Sequence, residues 1–165
     1  MRRNPLLLLL CVAALLSGCG FHPRDTLKLA DDLGPVKVVT ADPYSPLAYG
    51  LSTALRRAGA QPAVEGEPSA TLKVRSERMR SRPLSVDRKA QVREYEQRYT
   101  VRFELLDAAG KSLMPLQEIT LAREYTYDSL APSGSPQEQE LLQTELRREM
   151  QTAILRRIGA VQRTN

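Results

Sequence analysis

An export signal at the amino terminus sets the conditions under which the rest of this chain folds. Arg2 and Arg3 precede an apolar run over residues 6–16, which ends in the tetrapeptide Leu16-Ser17-Gly18-Cys19. The run is too short for a membrane-spanning helix, which needs roughly 20 residues, and is typical of a cleaved secretory signal. We therefore predict that residues 1–18 are removed and that the mature chain folds outside the cytoplasm.

Cys19 is predicted to carry lipid. The tetrapeptide resembles the lipobox of bacterial lipoproteins, in which small residues admit the peptidase and the cysteine thiol accepts a diacylglyceryl group. An ordinary signal peptide with a chance cysteine at its end is the alternative. Each buried CH₂ of an acyl chain contributes about 0.8 kcal/mol, and two or more chains anchor stably where one is marginal. Cys19 is thus expected to hold the protein in membrane lipids.

The mature chain is predicted to be one small domain without cysteine chemistry. Cys11 leaves with the signal and Cys19 is acylated, so neither a disulfide nor a cysteine metal site is expected. We assign residues 19–34 to an acylated tether, residues 35–160 to a single domain and residues 161–165 to a short tail. A domain of this length can bury one modest hydrophobic core.

The first part of the domain predicts a strand, a helix and a second strand. Residues 35–40 alternate between apolar and polar, as in a half-buried strand. Ser45 is placed to cap a helix, whose apolar residues recur at helical spacing until Gly59. Residues 61–69 are typical of a loop, and alternation resumes over residues 70–75. This order favours a right-handed crossover between parallel strands.

The remainder predicts a hairpin followed by an amphipathic helix. Alternation over residues 95–105, a turn at residues 107–110 and a return strand over residues 119–125 indicate the hairpin. A capping box at Ser135 then opens a helix with an apolar stripe, which Gly159 is expected to end. We therefore predict an α+β fold of order βαβββα, with two amphipathic helices on one face of an approximately four-stranded mixed sheet.

Positive charge is concentrated in one stretch of the mature chain. Without Arg2 and Arg3, 22 basic residues face 19 acidic ones, a net charge of +3. Residues 73–93 contain eight basic and two acidic residues, so this stretch alone is +6 and the remainder is −3. The stretch requires either an anionic partner or full solvation.

Three interpretations of the basic stretch compete. Nucleic acid is disfavoured by export, and the neighbouring tyrosines are predicted on the apolar face. A solvated strand face without a partner stays open. The third interpretation is an anionic glycolipid, because arginine grips phosphate bidentately and lysine acts as a point charge. The candidate binding residues, predicted at a hairpin tip, are Arg80, Arg82, Arg88 and Lys89.

The sequence offers no catalytic constellation. The only histidine, His22, lies on the predicted tether and cannot serve as base beside a nucleophile or complete a zinc site. The carboxylate pairs Glu94 with Glu96 and Glu138 with Glu140 are more simply a solvated strand face and a favourable first helical turn. We predict no enzyme, no metal and no cofactor.

The order of several motifs resembles the LptE family of lipopolysaccharide-assembly lipoproteins. These motifs are Gly18-Cys19-Gly20-Phe21-His22-Pro23-Arg24-Asp25, Glu94-Tyr95, Arg123-Glu124-Tyr125 and a helix over residues 140–158. The resemblance implies a domain tethered to the periplasmic face of the outer membrane, where it plugs an LptD β-barrel, assists barrel assembly and binds lipopolysaccharide. Gly20 after the acylated cysteine also favours the outer membrane.

Of the two basic positions that the family associates with lipopolysaccharide, this chain has a basic residue at only one. The resemblance places Arg88 at the family's lipopolysaccharide-linked tip, whereas Pro132 occupies the family's second basic position and Pro23 replaces a usual leucine. A two-site grip on lipid A is therefore in question. A structural lipoprotein that chaperones a barrel without binding glycolipid, and an auxiliary lipoprotein of an unrelated envelope transporter, remain alternatives.

Overall fold

The computed structural model describes residues 34–42, 44–86, 92–126 and 135–162. Its elements in chain order are β1 (Pro35–Thr40), α1 (Pro46–Arg57), β2 (Gln61–Pro62), β3 (Ala70–Val86), β4 (Val92–Leu106), β5 (Ser112–Thr126) and α2 (Ser135–Gln162). The predictions for the signal peptide, Cys19, the tether, Arg88, Lys89 and Pro132 concern residues outside the described ranges.

The strands form one mixed sheet in the order β2-β1-β3-β4-β5. β1 pairs parallel with β2 and β3, and the β3–β4 and β4–β5 pairs are antiparallel. The α+β class and the parallel crossover are confirmed. The sheet has five strands rather than about four, because the predicted loop contains the two-residue strand Gln61–Pro62. An edge position tolerates Pro62, and two residues are too few to show alternation.

Helix α1 follows its sequence signals closely. The Ser45 Oγ accepts a hydrogen bond from the Leu47 N–H at 3.2 Å, so Ser45 is the N-cap. Leu51 and Leu55 are buried with Leu47 on the inward face. Gly59 follows the helix with a φ of 97°, a left-handed conformation that glycine adopts without strain.

Strand β3 is much longer than predicted, because a β-bulge hides its continuation. The alternation that begins at Ala70 stops at Arg75, where the register against β4 shifts between Val74 and Ser76. The extra residue turns Glu77 and Met79 toward the inward face. The inward positions are even-numbered up to Val74 and odd-numbered from Glu77 onward, and one of them is a carboxylate. The sequence of β3 therefore does not show the two-residue hydrophobic period expected of a long strand.

The β4–β5 hairpin and its turn are confirmed, but the return strand begins at Ser112 and not at residue 119 as predicted. The Asp107 Oδ1 accepts hydrogen bonds from the N–H groups of Ala109 and Lys111 at 2.9 and 2.8 Å. Gly110 has a φ of 82°. The turn is therefore closed by two features, the hydrogen bonds of the Asp107 side chain to the backbone that follows it and the left-handed conformation of Gly110.

The two helices pack on one face of the sheet, as predicted. α1 contacts β1 and α2, and α2 contacts β4 and β5. Helix α2 continues to Gln162 and is not ended by Gly159, so that prediction is wrong. A glycine inside a helix costs about 1 kcal/mol relative to alanine. Here Ile158 is fully buried and Val161 packs against the core, so tertiary contacts hold the last turn.

Candidate anion-binding surface

The outward face of the sheet carries the arginines of the basic stretch. Met79 and Tyr99 are directly opposite each other across β3 and β4, and Tyr99 is fully buried beneath the helices. Because side chains alternate along a strand, the flanking residues of β3 point to the other face. Arg78, Arg80 and Arg82 are accordingly exposed on the side without helices.

Arg80 and Arg82 lie within β3 and not at the hairpin tip, where they were expected. Arg80 is directly opposite Arg98, and Arg82 is directly opposite Glu96. Residues 87–91, which connect β3 to β4 in the chain, lie outside the described ranges. The structure therefore brings two of the four predicted binding residues together with two that were not predicted.

A single carboxylate holds two of these arginines. The Nε atoms of Arg82 and Arg98 each donate to the Glu96 Oε1 at 2.9 Å. Their terminal Nη2 atoms approach the Glu96 Oε2 at 3.4 and 3.3 Å. Two guanidinium groups thus approach one carboxylate in similar geometry. We call Arg80, Arg82, Glu96 and Arg98 the Glu96 cluster.

The two arginines keep Glu96 ionised. Hydrogen bonds from Arg98 and then Arg82 lower the pKa of Glu96 to about 2, against an ordinary value of 4.5. The same contact raises the pKa of Arg82. The Glu96 side chain is only 10% exposed, so the prediction that Glu94 and Glu96 form a solvated pair is wrong for Glu96.

Arg98 and Glu96 were not predicted as members of this site, because their contacts depend on strand register. Arg82 and Glu96 are 14 residues apart in the chain and become neighbours only through the β3–β4 pairing. The bulge after Val74 moves that register by one residue relative to the alternation visible at Ala70. Only the i, i+2 spacing of Glu96 and Arg98, which places them on one strand face, was available as a signal.

A second carboxylate on the inward face ties three elements together. The Tyr99 hydroxyl donates to the Glu77 Oε1 at 2.6 Å, and the Ser45 Oγ donates to the Glu77 Oε2 at 2.5 Å. Burial, followed by contact with Glu77, raises the pKa of Tyr99. Glu77 borders a cleft of about 280 Å³ with Asp42 and Ser76. The contacts of Glu77 join β3, β4 and the start of α1, which favours a structural role.

Two further properties concern only the part of the chain that the structure describes. No cluster of three or more histidine, cysteine, aspartate or glutamate residues there is arranged to hold a metal ion. No helix within the described ranges has both the length and the apolarity needed to cross a membrane.

Comparisons with known proteins agree on one family. A sequence model of the LptE family, described as lipopolysaccharide-assembly, matches residues 33–158. The LPS-assembly lipoprotein LptE of Pectobacterium atrosepticum is 26% identical over 161 residues, which cover 96% of this chain and 86% of that protein.

Solved structures share the fold. The solution structure of an uncharacterized lipoprotein B from Nitrosomonas europaea superposes with a TM-score of 0.73 and 26% identity, covering 86% of this chain and 91% of that one. The crystal structure of the rare lipoprotein B from Shewanella oneidensis has a TM-score of 0.66 and 23% identity, with 79% and 97% coverage, and supports the fold alone.

Proposed function

Because the chain belongs to the LptE lipopolysaccharide-assembly family, we propose that it is a non-enzymatic subunit of the outer-membrane lipopolysaccharide translocon. In this role it plugs an LptD-like β-barrel, helps the barrel to assemble and binds lipopolysaccharide. Acyl chains on Cys19 hold it in the outer membrane at the periplasmic face. The observation that carries the glycolipid part is the exposed arginine surface on the sheet face away from the helices.

The chemistry of this surface suits a phosphorylated glycolipid. Arg78 and Arg80 are exposed and make no ion pair within the described residues, so their charges are available to a ligand. Guanidinium groups bind phosphate oxygens with two parallel hydrogen bonds. We assign lipopolysaccharide binding to Arg80 and Arg82 together with Arg88 and Lys89, which follow in the segment that connects β3 to β4.

The two-layer fold also supports a role inside a barrel. Eighteen of the described residues form one buried hydrophobic core between the helices and the sheet. The central strands β3 and β4 present mainly polar and charged side chains on the outward face. Wide outer-membrane barrels are polar inside, so a plug needs a stable core of its own and a hydrophilic exterior. This domain offers both properties.

Co-purification tests the barrel part of the proposal. The full-length lipoprotein, extracted with its native envelope in mild detergent, should retain a β-barrel partner that changes electrophoretic mobility on heating. Recovery of the lipoprotein without such a partner, while it remains folded, would contradict the plug role.

A structural lipoprotein that scaffolds an envelope barrel without touching glycolipid is the second candidate. The ion pairs on the outward face favour it, since Arg75 with Glu104 and Arg102 with Glu118 neutralise part of the charge. The two candidates differ in direct lipopolysaccharide binding, which only the first requires.

A further inference from the structure

The Glu96 cluster exposes its hydrogen-bond donors and covers its carboxylate. The side chains of Arg82 and Arg98 are 59% and 48% exposed, whereas that of Glu96 is 10% exposed. A guanidinium group has five N–H donors in a rigid plane. Each of these two groups turns its Nε and one Nη atom to Glu96, which leaves the other terminal nitrogen of each without a partner in the cluster.

The arginines of the Glu96 cluster also outnumber the carboxylates beside them. Arg80 lies directly opposite Arg98, and like charges in opposed positions destabilise a strand pair. Arg98 turns to Glu96 on its own strand, and Arg80 makes no ion pair within the described ranges. On β5, the exposed Glu124 lies directly opposite Glu96 on the same face. Three guanidinium groups against these two carboxylates still leave an excess of positive charge, which an anion would neutralise.

We propose that the Glu96 cluster is a binding site for a phosphate-type anion and that Glu96 is its positioning residue, holding Arg82 and Arg98 side by side. The inference rests on the proposed function, because the phosphate groups of lipopolysaccharide are the expected source of the anion. Side chains that are already fixed lose less conformational entropy when a ligand binds. The shared carboxylate supplies this fixation while remaining covered itself.

Replacing Glu96 distinguishes a positioning role from simple charge attraction, because the two explanations predict opposite changes in anion affinity. Glu96→Gln makes the surface more positive, so diffuse attraction would tighten anion binding. If Glu96 positions the two arginines, binding should instead weaken by about tenfold or more, the scale of one lost charge-assisted hydrogen bond. Glu94→Gln is the matched control. Glu94 is exposed two residues earlier on the same strand, has no ion pair within the described residues, and its replacement adds the same charge.

The probe is lipopolysaccharide immobilised on a surface, with the full-length lipoprotein applied in detergent. A parallel surface carries the same lipopolysaccharide after removal of its phosphate groups, and retention of full affinity there would overturn the assignment of a phosphate-type ligand. Displacement by inorganic phosphate would support free phosphate as the ligand. Displacement by soluble lipopolysaccharide alone would support the lipid headgroup.

The outcomes distinguish this inference from the proposed function. If the unaltered protein binds and Glu96→Gln binds as tightly as Glu94→Gln, the positioning role of Glu96 is wrong and the proposed function stands. If the unaltered protein does not bind lipopolysaccharide, the glycolipid part of the proposed function itself fails.

A second variant tests the inference if Glu96→Gln fails to fold. If circular dichroism shows that Glu96→Gln is unfolded, Arg98→Lys is used, because lysine keeps the charge but lacks the planar fork. Arg102→Lys is its matched control, since Arg102 lies on the same strand with only a 3.7 Å contact to Glu118. Binding should weaken for Arg98→Lys and not for Arg102→Lys. Equal affinities for these two variants would overturn the inference.

Discussion

Two carboxylates on opposite faces of the sheet have different roles. Glu77 faces inward, where the hydroxyl groups of Tyr99 and Ser45 bond its two oxygens. Glu96 faces outward, where it binds the guanidinium groups of Arg82 and Arg98. The first joins elements of the fold, and the second arranges charge on the surface.

The ion pairs of Glu96 should make stability depend on pH in the acid range. The folded-state pKa is about 2 and the ordinary value is 4.5, so the unfolded chain takes up a proton at higher pH than the folded protein. The stabilisation is therefore present above about pH 4.5 and is lost as pH falls toward 2. Urea unfolding at a series of pH values should show this loss. Glu96→Gln should reduce the slope and Glu94→Gln should not. Equal slopes for these two variants would contradict the account.

Tyr99→Phe tests the inward carboxylate. The substitution removes the 2.6 Å hydrogen bond to the Glu77 Oε1 from a fully buried position. Hydrogen bonds to charged groups contribute about 1.5–3 kcal/mol, so the free energy of unfolding should fall by that amount. Tyr49→Phe is the control, because Tyr49 is 77% exposed and its substitution should stay within about 0.5 kcal/mol. A change for Tyr99→Phe as small as that of the control would argue against this role for Glu77.

At the scale of elements, Gly50 of α1 lies against the side chain of Gln151 of α2. A Cβ atom added at Gly50 would lie 2.0 Å from the Gln151 Nε2, so the glycine makes room for a side chain of α2. The obstructing atoms are the far end of a flexible side chain, which can move away at small cost. Alanine is better than glycine inside a helix by about 1 kcal/mol.

Gly50→Ala is accordingly expected to leave stability unchanged or to raise it slightly, by less than about 1 kcal/mol. In a Gln151→Ala background, where the obstruction is gone, the full helical gain should appear. Thermal unfolding of the four proteins in this double-mutant cycle measures the difference. A loss of several kcal/mol for Gly50→Ala in both backgrounds would show that the backbone contact, and not Gln151, sets the helix spacing.

The elements predicted correctly are those with local signals. Helix α1 has a capping serine and an apolar stripe, and the β4–β5 hairpin has alternation over residues 95–105 and a turn at Asp107. Strand β3 was predicted short, because the bulge at Arg75 changes its parity. Gly159 was taken as a helix end, because the sequence does not reveal that core contacts hold the following turn. The errors occur where pairing or packing overrides local pattern.

At the scale of the whole molecule, the sheet separates the core from the charged surface. Leu146, Met150 and Ile154 of α2 are fully buried against one face. The opposite face carries Arg78 and the Glu96 cluster. Under the proposed function, folding and lipopolysaccharide binding use different sides of the same strands, so substitutions on the outward side should alter binding with little effect on the core.

Direct binding of lipopolysaccharide by the purified lipoprotein is the central measurement. Replacing Arg80, Arg82, Arg88 and Lys89 together with glutamine should lower the affinity by about tenfold or more, since each charge-assisted hydrogen bond contributes about 1.5–3 kcal/mol. The variant should still fold and still co-purify with the proposed barrel partner. If its affinity for lipopolysaccharide equals that of the unaltered protein, the account of this surface as the glycolipid-binding site is wrong.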